Sequence, residues 1–260
     1  MIPGTLLRFP MSNGFPLMTE RDLSGNLFAG ALAEHIAFLH GARTHKELSA
    51  WGCKWWSRWV TKEKCADFGL AEGDLGPGSY GAAWTNFPTA EGPSVNQIEN
   101  VIELLKKAPR LRTLQITNWI PQYAVPGRTN KRQVVVAPCH GDIQILAYPE
   151  TKELDIIHVQ RSADVPVGLV FNIIQYAAFG LMVAQIIGYR MNELVHVIKD
   201  GHIYEEQIPF VEKLLEREPN TFPTVSLDPS IKNIFDFRPE HFTIHNDYHP
   251  HPAMTIPTPV

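Results

Sequence analysis

The chain has 260 residues, 44% hydrophobic and 19% charged, a balance that excludes a disordered polyelectrolyte and suits an ordinary globular core. Net charge is −4 and the 23 lysines and arginines are scattered, so no basic face is built for a nucleic-acid backbone and no obligatory nucleic-acid partner is expected. Three irregularly spaced cysteines, Cys53, Cys65 and Cys139, argue against a disulfide framework and a multi-cysteine zinc site. With no secretory pattern at the start of the chain, the expected compartment is a reducing, cytoplasmic one.

Between Leu23 and Leu39, Leu23, Leu27, Ala31 and Phe38 recur at helical spacing and Gly41 follows as a stop, predicting a helix with one core-facing stripe. Glu34 falls on that stripe. It is either a carboxylate buried with a partner or a shifted pKa, or a stripe-edge residue salt-bridged at the surface. Trp51, Trp55, Trp56 and Trp59 then crowd together, as helix-face packing or as a stacking wall for a flat cofactor. The segment GDLGPGSYG at Gly73 to Gly81 fits neither glycine-rich phosphate pattern, which removes dinucleotide and P-loop readings. Gln97 to Lys107 predicts an amphipathic helix through Ile98, Val101, Ile102 and Leu105 before Pro109. Val134 to Val136 and Leu154 to Val159 predict strands, and Ile173 to Tyr189, apolar on nearly every side, predicts a buried central helix. The longest apolar run, Ala177 to Tyr189, is short of the ~20 residues that cross a bilayer, so no membrane partner is expected. The order implies a mixed α+β chain without βαβ rhythm, in one domain spanning 1–260.

Several polar residues break these patterns. Cys139 lies between Pro138 and His140; a lone buried cysteine is inert unless a cation such as Arg161 comes close enough to favour its thiolate. Asn172 opens the apolar helix, as a cap or as an amide offering a donor and an acceptor to a heterocycle edge. His202 and Tyr204, two apart, would share one face of a strand and could hold a single hydroxyl, or belong to an ordinary half-buried strand. His245, His249 and His251 lack ligand spacing and read as loop residues, so no metal is expected.

Taken in order, GFPLMT at Gly14, the helix bearing Glu34, the WxxW of Trp56 and Trp59, GDLGPGSYG, APCH ending at His140 with Gln144 beyond it, QRSADVPVG at Gln160 to Gly168, FNIIQYA at Phe171, DGHIY at Asp200, REP at Arg217 and YHPHP at Tyr248 closely resemble the folate-dependent thymidylate synthase family. The resemblance runs from about Leu7 onward. It implies an α/β fold of the mixed α+β kind, with a large mixed sheet packed against that of a second subunit in a homodimer. It further implies one-carbon transfer from 5,10-methylenetetrahydrofolate to C5 of dUMP, with the reduced folate also giving the hydride, and with no metal.

By resemblance, Cys139 is the nucleophile that adds at pyrimidine C6, and Arg161 serves both the thiolate and the nucleotide phosphate, with Ser162 beside it. Gln160 and Asn172 are assigned to the pyrimidine side, His202 and Tyr204 to the sugar 3′-hydroxyl, and Glu34 to proton transfer. Tyr80 is assigned to removal of the C5 proton, Asp164 to the pterin, and Trp56, Trp59, Gly168, Phe171 and Val260 to the folate pocket.

Three departures accompany the likeness. Relatives usually open with a further helix and an RTGTGT-like loop whose arginine holds the phosphate, and the given sequence starts after it. Where a partner subunit normally sends two adjacent arginines, PRLRT gives Arg112 followed by Thr113, leaving Arg8 or Arg110 as candidate substitutes. Each lost charge-assisted contact of about 1.5–3 kcal/mol would weaken nucleotide binding by one to two decades. GDLGPGSYG also carries one extra residue, which could re-aim Tyr80. These departures keep two alternatives open: a pyrimidine nucleotide hydroxymethylase acting on dUMP, dCMP or CMP, and a non-catalytic nucleotide- or RNA-binding homologue. Asn172 favours uracil, since deoxycytidylate hydroxymethylases tend to carry Asp there.

Overall fold

The protein is described by a computed structural model that covers residues 1–128 and 131–259. Its larger sheet has the order β1 (Ile2–Pro10), β6 (Arg190–His202), β4 (Glu153–Gln160), β3 (Asp142–Tyr148), β2 (Gln115–Ile116), and a short β5 (Ala163–Asp164) also pairs with β6. β4 and β6 are parallel, whereas β1, β2 and β3 run antiparallel to their neighbours. The sheet is therefore mixed, as expected. A small hairpin of β7 (Val225–Leu227) and β8 (Phe242–Ile244) stands apart from it.

Alternation makes β4 amphipathic in an instructive way. Leu154, Ile156, His158 and Gln160 point inward and are buried, while Ile157 and Val159 lie half-exposed on the opposite face. Against the inner face packs α7 (Val170–Ile187), apolar all round and mostly buried, with α1 (Asn26–Leu39) behind it. With its entry turn α7 has the length and apolarity of a membrane span, yet two-thirds of its most apolar window is covered by this packing, as in a core helix. One apolar cluster runs from Phe15 to Phe242 across these layers.

Smaller helices surround that frame: α2 (His45–Trp51), α3 (Lys62–Ala66), α4 (Tyr80–Thr85), α5 (Gln97–Lys107), α6 (Pro121–Ala124) and α8 (Ile208–Leu215). α5 matches its predicted span, capped by the Asn96 carboxamide accepting from Ile98 and Glu99 N–H, and all four predicted apolar residues are buried.

Three expectations are corrected. α1 starts at Asn26 rather than Leu23, because Gly25 takes a left-handed φ of 61° and the Asp22 carboxylate captures Ser24 N–H. Leu27 is 42% exposed rather than part of the core stripe. Val134–Val136 is not a strand: Val134 and Val135 are buried, but Val135 N–H donates to Leu75 O in a loop. One crossover, through α7, joins β4 and β5 to the parallel β6, and the order is otherwise mixed, without βαβ rhythm, as expected.

Candidate active site

Most of the singled-out residues line one cleft of about 380 Å³ beside the end of β4 and the start of α7. Ligand clefts in α/β chains form at such carboxyl ends of parallel strands. Cys139, Glu34, Tyr80, Gln160, Ser162, Asp164, Gly168, Phe171, Asn172, His202, Tyr204, Trp56 and Trp59 all lie on its wall. Val260 lies outside the described residues. Arg161 is not a wall residue but stands behind Cys139. Arg112 is exposed and lines a separate surface cleft with Leu111, Leu146 and Tyr148.

The cysteine is held by two loops locked together. Arg43 clamps the Asp74 carboxylate through two nitrogens at 2.7 and 2.6 Å, and Asp74 in turn accepts Gly76 N–H. A Cβ on Gly76 would come within 2.2 Å of Gln133 O, so only glycine lets the loop carrying Tyr80 meet the segment leading to Cys139. Tyr80 stacks on Phe38 and His140, and its hydroxyl accepts Cys139 N–H at 3.0 Å. The extra residue in GDLGPGSYG still leaves Tyr80 aimed at the nucleophile.

Arg161 donates from Nε and Nη2 to the carbonyls of Pro138 and Ala137, which sets its Nη2 3.5 Å from Cys139 Sγ. Burial pushes the Cys139 thiol above the usual range while the Arg161 guanidinium opposes it, so the resting group is the thiol. Ser162 donates to Asp200, whose carboxylate also lies 3.4 Å from His202 Nδ1.

Glu34 is buried as the stripe argued. One carboxylate oxygen accepts the indole N–H of both Trp55 and Trp56, and the other accepts Gln175 Nε2 at 2.7 Å. Burial raises its pKa against the pull of those donors. Gly30, one turn before Glu34, leaves room for the Trp55 ring, which a Cβ there would approach within 2.7 Å. Trp55 in turn stacks on Phe171, with centroids 5.8 Å apart.

Between β5 and α7 the chain makes a π-helical turn, Val165–Leu169, a feature that gathers at functional sites. It carries Gly168 to the wall, where an added Cβ would meet nothing nearer than Asp164 Cβ at 3.7 Å. The Asp164 carboxylate accepts Gln207 Nε2 on both oxygens, and burial lifts its pKa. His202 ends β6 whereas Tyr204 lies beyond it, so the two meet through an edge-on ring contact instead of strand alternation.

Outside the cleft, Trp51 packs on His40 and Arg238, and Arg8 and Arg110 engage Glu193 and Glu150, away from the wall of this cleft. His245 and His251 hydrogen-bond Ser226 and Glu218 O from the chain beyond β8. Sequence reasoning passed over Gln175, Gln207, Asp200 and Arg58. Gln175 had a signal, a lone polar side chain one helical turn from Asn172; Gln207 had none.

Among the described residues the Cys139 sulfur lies against the Arg161 guanidinium, the Ala137 carbonyl and the Tyr80 hydroxyl, with no histidine or carboxylate hydrogen-bonded to it. The cleft thus sets a cysteine beside a cation within aromatic walls. Comparison with known families identifies the chain: the family model described as thymidylate synthase matches residues 1–260, and the chain belongs to the thymidylate synthase family. The family is enzymatic, binds pyrimidine nucleotides and uses methylenetetrahydrofolate for one-carbon transfer.

Proposed function

We propose that the chain catalyses reductive methylation of dUMP to dTMP as one catalytic domain, paired as a homodimer, in the cytoplasm. The observation that carries this is the convergence of Cys139, Asn172 and the buried Glu34 on one aromatic-walled cleft, with Nη2 of the exposed Arg161 3.5 Å from the Cys139 sulfur. The Cys139 thiol releases its proton to water while the Arg161 guanidinium favours the thiolate, which adds to C6, opening the C5=C6 bond and moving its electron pair toward C5 and O4. Asn172 hydrogen-bonds the ring edge, Arg161 and Ser162 bind the phosphate, His202 and Tyr204 bind the sugar hydroxyl, and Tyr80 holds the nucleophile loop and the C5 proton's exit. Once the C5 proton is lost, the transferred carbon would part from the folate nitrogen and take its hydride from the same folate as the Cys139–C6 bond opens, restoring C5=C6 and freeing the thiolate.

The other half of the cleft fits a reduced folate. Trp56, Trp59 and Phe171 give flat apolar walls, Gly168 leaves space, and Asp164 offers a fixed carboxylate to a pterin edge. Bound there, the folate supplies the one-carbon unit and the hydride. Burial raises the Glu34 pKa, so it takes up a proton more readily than an exposed carboxylate does, and the indoles exclude water from the adduct.

Support for the homodimer lies on the outer sheet face. Val197 is in register with Leu6 and Val159, and Val195 with Ile157, forming an apolar strip that the chain itself leaves half-open. Arg112 would serve the partner's cleft.

The test is release of tritium from C5-labelled dUMP, UMP, dCMP and CMP with methylenetetrahydrofolate, followed alongside dihydrofolate absorbance. Equal release and dihydrofolate formation from dUMP is expected. Release without dihydrofolate would make the protein a hydroxymethylase, and silence in both channels would make it a binding homologue.

A further inference from the structure

Behind the cleft lies a line of buried polar groups that the chemistry above does not use. His158 and His196 face each other across the parallel β4 and β6 pair, both fully buried, with Nδ1 to Nδ1 3.4 Å. Gly141 N–H points at His158 Nε2 at 3.0 Å. A backbone N–H can only donate, so His158 Nε2 is the acceptor and a neutral ring carries its proton on Nδ1. That proton is directed at His196 Nδ1, which leaves the His196 proton on Nε2, 2.8 Å from Gln160 Oε1. Gln160 then presents Nε2 to the Asn172 oxygen at 2.9 Å and to Ser162 O at 3.1 Å. Asn172 Nδ2 donates to Gln175 Oε1 at 2.9 Å, and Gln175 Nε2 donates to Ala31 O and Glu34.

Every link therefore runs in one direction, from the Gly141 amide to the Glu34 carboxylate. Groups of fixed polarity pin it at both ends and in the middle: a backbone donor at Gly141 and backbone acceptors at Ser162 and Ala31. Burial holds His158 well below its ordinary pKa and His196 down at about 4, so both rings are neutral near pH 7. Turning the Asn172 amide over would set nitrogen against Gln160 Nε2 and oxygen against Gln175 Oε1, replacing two hydrogen bonds by two repulsions in a buried site.

We propose that His158 and His196 are positioning residues that lock the polarity of the Asn172 amide and thereby select a uracil over a cytosine nucleotide; the proposal rests on the reading of Asn172 as the base-facing residue. A uracil edge offers an acceptor at O4 and a donor at N3, and a cytosine edge offers the reverse. With the amide locked, O4 meets the Nδ2 end toward Glu34 and N3–H meets the oxygen end toward Gln160. Cytosine would need the forbidden flip. A polar site that cannot reorganise rejects the mismatched partner far more strongly than a merely shaped pocket does.

The test has two arms. Calorimetric titration of dUMP and dCMP into wild-type protein, H158F, H196F and H196Q gives the ratio of the two dissociation constants. The phenylalanines keep a flat ring in the space between the strands. The H196Q amide can accept from His158 and donate to Gln160, preserving the direction of the line. The expected result is a wild-type preference for dUMP that falls at least about tenfold in both phenylalanine variants, mainly through tighter dCMP binding, and returns in H196Q. Equal loss of both nucleotides with an unchanged ratio would mean a packing role and overturn the proposal. The second arm needs no substitution: long-range proton–nitrogen NMR of the wild-type histidines should show His158 protonated at Nδ1 and His196 at Nε2. The opposite tautomers would overturn the locked polarity whatever the titrations gave. Wild-type protein that binds neither nucleotide overturns the reading of Asn172 itself, and the proposal with it.

Discussion

Cys139 and Arg161 set the chemistry at the smallest scale. In the proposed mechanism a thiol pushed up by burial, with one guanidinium nitrogen 3.5 Å away opposing the shift, is switched on by local charge and not by a general base. Cys139→Ser is expected to lower turnover by at least about 10⁴-fold while leaving nucleotide affinity within a few-fold, read by tritium release and by calorimetry. Surviving turnover would remove the cysteine from the mechanism. Much at this scale was open to the sequence. Glu34 betrayed itself by sitting on an apolar stripe, and the structure buries it under two indoles and an amide. The hidden part was partnership: Gln207 is 43 residues from Asp164, and no local pattern joins a glutamine to a distant carboxylate.

Elements decide where those side chains arrive. The strand expected at Val134–Val136 is instead a buried connector, because its N–H partner is the Leu75 carbonyl in a loop. Apolar runs signal burial, and burial alone does not distinguish a strand from a packed irregular segment. The β4–α7–β6 crossover was likewise invisible, since parallel pairing is a tertiary fact and β6 also serves β1. Two residues after the nucleophile, Gly141 has φ 113° and its missing Cβ faces Asn118 Nδ2 at 2.1 Å. Gly141→Ala should therefore cost about 3 kcal/mol or more, from backbone strain plus the overlap, measured as a shift in urea midpoint at constant m. A change under about 0.5 kcal/mol would show that this turn relaxes freely.

Across the whole molecule, four buried histidines shape the response to acid. Burial lowers His35 and His140 to about 3 and His196 to about 4, and holds His158 well below its ordinary value of 6.5. Between pH 6.5 and about 4 the unfolded chain binds protons that the folded chain refuses, so stability rises with pH and drains away as pH falls through that window. The slope approaches about 1.4 kcal/mol per pH unit for each histidine. The raised pKa of Glu34 acts in the opposite sense, as one group against four. Urea midpoints should drop steadily from pH 7 to pH 5, and a flat profile would mean these rings gain protons without unfolding. Val197→Glu, in the half-exposed strip, should convert the proposed dimer to monomer by light scattering, while an unchanged mass would place any partner elsewhere.

The π-helical turn at Val165–Leu169 also bears on how the length of the chain can vary among relatives. Each residue of a helix turns the following side chains by about 100°. Removing or adding one residue between Asp164 and Asn172 would therefore swing Asn172 and Gln175 off the cleft together, although every substitution tolerated by packing would leave them in place. Exposed connections such as Thr89–Pro93 carry no such phase. Lineages of this fold should accumulate insertions and deletions there, while the interval from Asp164 to Gln175 keeps a constant count.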